Sequence, residues 1–62
     1  MIDVSYVDNW SRAALVDYCE LAVQDGYERG NPQDWDRSYL IEIAKQYEKD
    51  RRQRELDGEF GL

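Results

Sequence analysis

The chain has 62 residues and a formal net charge of −6, and it contains one cysteine and no histidine. This length allows at most one small domain, spanning residues 1–62. The composition excludes an intrachain disulfide and is very unfavourable for a structural zinc site. Residues 1–36 carry all of the net charge, with eight acids and two bases, whereas residues 37–62 hold six of each. Such a surface favours basic protein partners.

Within the first seven residues, Ile2, Val4 and Tyr6 alternate with Asp3 and Ser5, a pattern of period two that is typical of a half-buried strand. The sequence offers no second strand candidate that could pair with this segment. We therefore expect an extended N-terminal arm that lies over helices. An edge strand that pairs with another chain is the alternative.

The first helix is predicted from about Asn9 to Asp25. Ser11 is a suitable N-terminal cap, because Trp10 before it and Leu15 after it have the spacing of a hydrophobic staple. Gly26 is a natural left-handed terminator for this helix.

One face of this helix is predicted to enter the core, since apolar residues recur there every three or four positions: Ala14, Leu15, Tyr18, Cys19, Leu21 and Ala22. Asp17 and Glu20 lie together on the other side. Further apolar residues widen the arc, so we expect neighbours on two sides of the helix. Cys19 is interpreted as a small core side chain, and one unpaired cysteine fits a reducing, cytoplasmic compartment.

The connection between the helices contains a strong helix-start signal at Asn31 and Pro32. It predicts a possible short third helix over residues 32–37, with the long second helix restarting near Asp36 or Ser38. The expected fold is an all-α antiparallel helical hairpin with two main helices and the N-terminal arm.

The second helix has a single apolar stripe, formed by Tyr39, Leu40, Ile43, Ala44 and Tyr47. Beyond Tyr47 the stripe ends, but good helix formers continue. Two pairs of opposite charge stand at i,i+4 spacing, each worth about 0.2–0.5 kcal/mol: Glu48 with Arg52, and Asp50 with Arg54. Gly58 is predicted to end the helix, leaving residues 58–62 as a flexible tail.

The sequence carries no recognisable catalytic, metal or cofactor motif, so we expect a protein that is not an enzyme. A calcium loop starting at Asp34 would place Tyr39 where glycine is required and Lys45 where glutamate is required. Four bases and four acids balance over residues 48–57, which argues against direct nucleic acid binding. Apolar runs are too short for a membrane span.

The eight aromatic residues exceed what two short helices can bury, and Trp and Tyr dominate protein-binding hot spots. We therefore expect a protein-binding module, an inhibitor or adaptor that docks on a larger protein with a basic surface. One alternative is a DNA mimic of the antirestriction or anti-CRISPR type, and another is a structural homo-oligomer. In composition the chain is similar to many small phage-encoded inhibitors and accessory proteins.

Partner-binding residues are expected among exposed acids, surplus apolar side chains and the basic stretch: Asp17, Glu20, Trp10, Trp35, Ile41, Arg51 and Arg54. A homodimer is also expected, because a lone hairpin would leave Val16, Val23 and Ile41 in water. In such a dimer the arginines of one chain could lie against the acidic residues 1–36 of the other.

Overall fold

The computed structural model describes residues 2–60, with side chains up to residue 56. Its two main helices are α1, Arg12–Gln24, and α2, Arg37–Phe60. Two 3₁₀ helices precede them, Ser5–Asn9 before α1 and Pro32–Asp34 before α2. The described part of the chain contains no strand. The predicted all-α class, with two main helices and an N-terminal arm, is confirmed.

Both predicted helix-start signals are confirmed. The Ser11 side chain accepts a hydrogen bond from the backbone N–H of Ala14 at 3.2 Å. Asn31 likewise accepts from the N–H of Gln33 at 3.2 Å, although the helix that it caps covers only Pro32–Asp34 instead of residues 32–37. These caps satisfy donors that have no partner inside the helix.

The end of α1 is a left-handed turn at Gly26, which has φ 81°. The N–H of Gly26 donates to Val23, and the N–H of Tyr27 donates to Ala22, which is the Schellman arrangement. A residue with a Cβ would be strained at this φ.

The core is one cluster drawn from the arm and both main helices: Val7, Leu15, Cys19, Ala22, Leu40, Ile43, Ala44 and Tyr47. The predicted stripe of α2 is confirmed from Leu40 to Tyr47, whereas Tyr39 is exposed. On α1 only part of the predicted stripe is buried. Ala14 and Leu21 are exposed, because they flank the buried row instead of belonging to it.

In several contacts between the α1 region and the α2 region, a residue further along the first meets a residue further along the second. Three of them show this order: the Arg12 guanidinium with the Trp35 carbonyl at 2.7 Å, the Cys19 thiol with the Leu40 carbonyl at 3.4 Å, and the Tyr47 hydroxyl with the Asp25 carboxylate. The sequence predicts that the two helices of the hairpin are antiparallel, and this order of contacts shows that they are not. The twelve residues 25–36 are long enough to lead the chain back along α1, which a short turn could not do.

The N-terminal arm is extended only over residues 2–4 and becomes a 3₁₀ helix at Ser5. The Asp3 carboxylate accepts a hydrogen bond from the N–H of Ser5 at 2.9 Å, which favours a turn over a strand. The arm lies on α2, where Lys45 contacts the Asp8 carboxylate at 2.8 Å and Arg37 donates to backbone carbonyls of the arm.

Helix α2 continues to Phe60, so its predicted end at Gly58 is wrong. A glycine lowers helix propensity by only about 1 kcal/mol and need not terminate a helix. Residues 61–62 of the predicted tail lie outside the described residues. Both predicted i,i+4 ion pairs are confirmed, at 3.6 Å for Glu48–Arg52 and 3.1 Å for Asp50–Arg54. Over the described range, neither helix has the length and apolarity that a bilayer crossing needs.

Candidate functional site

The outer face of α1 carries a shallow apolar groove, with a volume of about 340 Å³. We call it the α1 groove and define it by its lining residues, Trp10, Ala14, Asp17, Tyr18 and Leu21. Leu21 is 46% exposed, although it is a large aliphatic side chain. Asp17 is the only charged residue in the lining. The groove is therefore an apolar surface with one carboxylate in its lining.

The periodicity of α1 explains why this surface exists. Leu15, Cys19 and Ala22 form one row that enters the core. Ala14 and Leu21, seven residues apart, form a neighbouring row that no described element covers. The wide apolar arc of α1 thus divides into a buried row and an exposed row.

Aromatic rings form one wall of the groove. The Trp10 ring meets the Tyr18 ring edge-on, with centroids 5.1 Å apart. Tyr18 is in turn tilted against Tyr47 at 5.2 Å, and Tyr6 lies 6.1 Å from Trp10. Edge-to-face pairs of this kind stabilise defined ring positions, so the wall is held by packing.

The Glu48 carboxylate on α2 holds the tyrosines of this wall in place through hydrogen bonds. It accepts hydrogen bonds from the hydroxyls of Tyr18, at 2.7 Å, and of Tyr6, and it lies 3.6 Å from Arg52. Burial acts to raise the pKa of Glu48, but the two hydroxyls and the nearby arginines outweigh burial and lower it. Burial, followed by the bond to Glu48, raises the pKa of Tyr18 well above its usual range. Glu48 therefore joins the arm, α1 and α2.

Two more tyrosines are bonded to carboxylates of the connection between the helices. Tyr39 donates to Glu28, and this hydrogen bond lowers the pKa of Glu28. Tyr47 donates to Asp25, and this hydrogen bond is the main cause that raises the pKa of Tyr47. These acids of residues 1–36 are engaged within the chain.

Of the predicted partner-binding residues, the structure brings Trp10 and Asp17 together in the groove. The Arg51 guanidinium lies beside it, 5.8 Å from the Tyr18 ring centroid and 5.7 Å from that of Tyr47. Glu20 is half-buried and does not line the groove.

The remaining predicted residues are used for intramolecular packing. Trp35 and Ile41 pack against the core, and Arg54 pairs with Asp50. Ile41 stands one turn from both Arg37 and Lys45, which contact the arm, so it lies on the side of α2 that faces the arm.

Sequence reasoning missed Ala14, Tyr18 and Leu21 as groove residues, because it placed all three in the core stripe. The wide apolar arc of α1 indicated that the helix has a second apolar contact. It did not indicate which row of side chains would be exposed to solvent.

Cys19 is fully buried, and burial raises the pKa of its thiol to about 11. Its interpretation as a core side chain is confirmed. Among the described residues, no cluster of three or more acidic, cysteine or histidine side chains could hold a metal ion. Comparison with known protein families, curated proteins and solved structures finds no match for this chain.

Proposed function

We propose that this protein is a non-enzymatic protein-binding module, an inhibitor or adaptor, that docks on a larger cytoplasmic protein with a basic surface. The observation that supports this function best is the α1 groove, an exposed apolar surface on an otherwise strongly acidic small domain. Exposed apolar surface rimmed by polar residues is typical of protein interaction sites.

The charge distribution supports a basic partner. Asp17 and Glu20 make no hydrogen bond or ion pair within the described structure, whereas Asp8, Asp25 and Glu28 are engaged. Two of the unengaged carboxylates therefore lie on α1, and the carboxylate of Asp17 lines the groove. Opposite charge on a partner would accelerate association and orient the complex.

A DNA mimic that blocks a nucleic-acid-binding enzyme is the second candidate function. The excess of acids in residues 1–36 favours it. It ranks second because a mimic needs carboxylates arrayed over a broad face, and several carboxylates here are bonded to tyrosine hydroxyls or to lysine.

The test uses two charge variants with the same change in net charge. Asp17→Lys combined with Glu20→Lys reverses the charge of α1, and Glu42→Lys combined with Glu55→Lys is the matched control on α2. Each immobilised protein is exposed to an extract of the source cell, and retained proteins are quantified by mass spectrometry. Helical circular dichroism checks that both variants are folded.

We expect wild type and the α2 control to retain the same basic protein and the α1 variant to lose it. Retention of identical proteins by all three baits would contradict docking through α1. Retention of a nucleic-acid-binding enzyme whose channel is then blocked to DNA would favour the mimic.

A further inference from the structure

The α1 groove has the dimensions of a site for a single helix. Trp10 lies just before α1, and the lining residues on α1 run from Ala14 to Leu21, a distance of about 10 Å at 1.5 Å per residue. Two turns of a partner helix would cover that length. Apolar side chains at three- and four-residue spacing are the usual anchors of a helix in such a groove.

The electrostatics of the groove favour a positively charged occupant. Asp17 is its one charged lining residue, and the nearby bases are engaged elsewhere. Arg12 donates to the backbone carbonyls of Gln33, at 3.2 Å, and Trp35. Arg51 lies over aromatic rings next to the Glu48 carboxylate. A lysine or arginine on a partner could therefore pair with Asp17, whose carboxylate makes no ion pair within the described part of this chain.

A second copy of the chain is a poor occupant by the same criterion. In a two-fold pair of α1 helices, residues near the middle of the groove meet themselves. Asp17 stands near that middle, so two carboxylates would face each other across an apolar contact. Each copy would also bring its net charge of −6, all from residues 1–36, to the same interface.

We infer that the α1 groove binds a basic amphipathic helix of the partner protein. An apolar side chain of that helix lies between Trp10 and Leu21, and a lysine or arginine one turn away pairs with Asp17. This inference rests on the proposed function and specifies which segment of the partner is recognised.

Three synthetic helical peptides of about five turns test this chemistry. The first has a leucine stripe and lysine elsewhere, the second keeps the leucines but replaces lysine with glutamate, and the third keeps the lysines but replaces leucine with alanine. The full chain carries 5-fluorotryptophan at Trp10 and Trp35, and fluorine NMR follows both signals during titration.

We expect the leucine–lysine peptide to shift the Trp10 signal and to leave the Trp35 signal unchanged, because Trp35 packs away from the groove against Tyr39. The two other peptides should produce no shift at the same concentrations. Equal binding of the leucine–glutamate peptide, or a shift only at Trp35, overturns the inference.

A matched pair of leucine variants locates the contact. Leu21→Gln should weaken binding of the leucine–lysine peptide by about tenfold or more, the usual effect of losing one buried leucine anchor. Leu56→Gln should leave the affinity unchanged, since Leu56 is 45% exposed but lies outside the groove. Equal losses in both variants overturn the inference.

Failure of this inference can be distinguished from failure of the proposed function. If no peptide binds while cellular capture still depends on Asp17 and Glu20, the partner segment is not a basic helix but docking through α1 stands. If capture is also independent of these two residues, both proposals are wrong.

Discussion

The Glu48 carboxylate connects the arm, α1 and α2. It accepts hydrogen bonds from the hydroxyls of Tyr6 on the arm and Tyr18 on α1, and it faces Arg52 one turn further along α2. Its side chain is only 15% exposed, so water can replace these bonds only in part. Charged acceptors in such a position contribute more than neutral ones.

Replacing this carboxylate tests its role. Glu48→Gln should lower the free energy of unfolding by about 1–3 kcal/mol, because hydrogen bonds to a charged group are weakened or lost. Urea denaturation at neutral pH measures the change. The exposed Glu42→Gln serves as the control and should stay within about 0.5 kcal/mol of wild type. Equal effects of the two substitutions would contradict the role assigned to Glu48.

The stabilising effect of Glu48 should also depend on pH. Its pKa is lowered in the folded chain from a reference value of 4.5, so folding favours the ionised form. The stabilisation is therefore present above about pH 4.5 and is lost as the pH falls through the folded pKa. Repeating the urea experiment with wild type and Glu48→Gln should give a stability difference that shrinks below this pH. A difference that stays constant into strong acid would show that the charge does not matter.

Features of the helices that depend on neighbouring residues can be predicted from the sequence. Features that depend on contacts between distant residues cannot. The cap at Ser11, the start signal at Asn31 and the α2 stripe each depend on residues within one or two turns. The direction of α1 relative to α2 depends on the path of residues 25–36, for which periodicity gives no information. The Tyr6–Glu48 bond joins residues 42 positions apart, so no local pattern could reveal it.

The candidate groove was predictable only in part for a related reason. Side-chain type and charge predict Trp10 and Asp17 as partner-binding residues. The same sequence places Leu21 in the core, since three-residue spacing cannot separate two adjacent rows on a helix with a wide apolar arc. The packing of Leu15, Cys19 and Ala22 against α2 decides which row is buried.

Two aliphatic truncations compare the core with the open row of α1. Ile43→Ala should lower the free energy of unfolding by about 2–5 kcal/mol, because Ile43 is only 6% exposed within the core cluster. Leu21→Ala removes a similar side chain from the groove and should change stability by about 0.5 kcal/mol or less. Thermal melts followed by circular dichroism compare the two variants. Similar melting temperatures for both would contradict the assignment of Ile43 to the core and of Leu21 to the open row.

At the scale of the whole molecule, the reasons for expecting a homodimer are weaker than the sequence suggests. Val16, Val23 and Ile41 are half-buried within the single chain instead of lying fully in water. The arginines that were expected to reach a second chain have partners in their own: Arg51 over two tyrosine rings, Arg52 with Glu48 and Tyr6, and Arg54 with Asp50. The homodimer stays a prediction.

Sedimentation at micromolar concentration decides between the homodimer and docking on a foreign protein. Docking of a foreign protein at the α1 groove predicts a monomer near physiological salt. Dimerisation would bring together two chains that each have a net charge of −6. Screening acts over about 8 Å at this ionic strength, so charges in direct contact still repel. Added salt should leave the monomer unchanged, since screening weakens the repulsion between two copies without adding a contact that holds them together. A dimer that persists at low salt, and that Leu21→Gln dissociates while Leu56→Gln does not, would instead show that the groove binds a second copy of this chain.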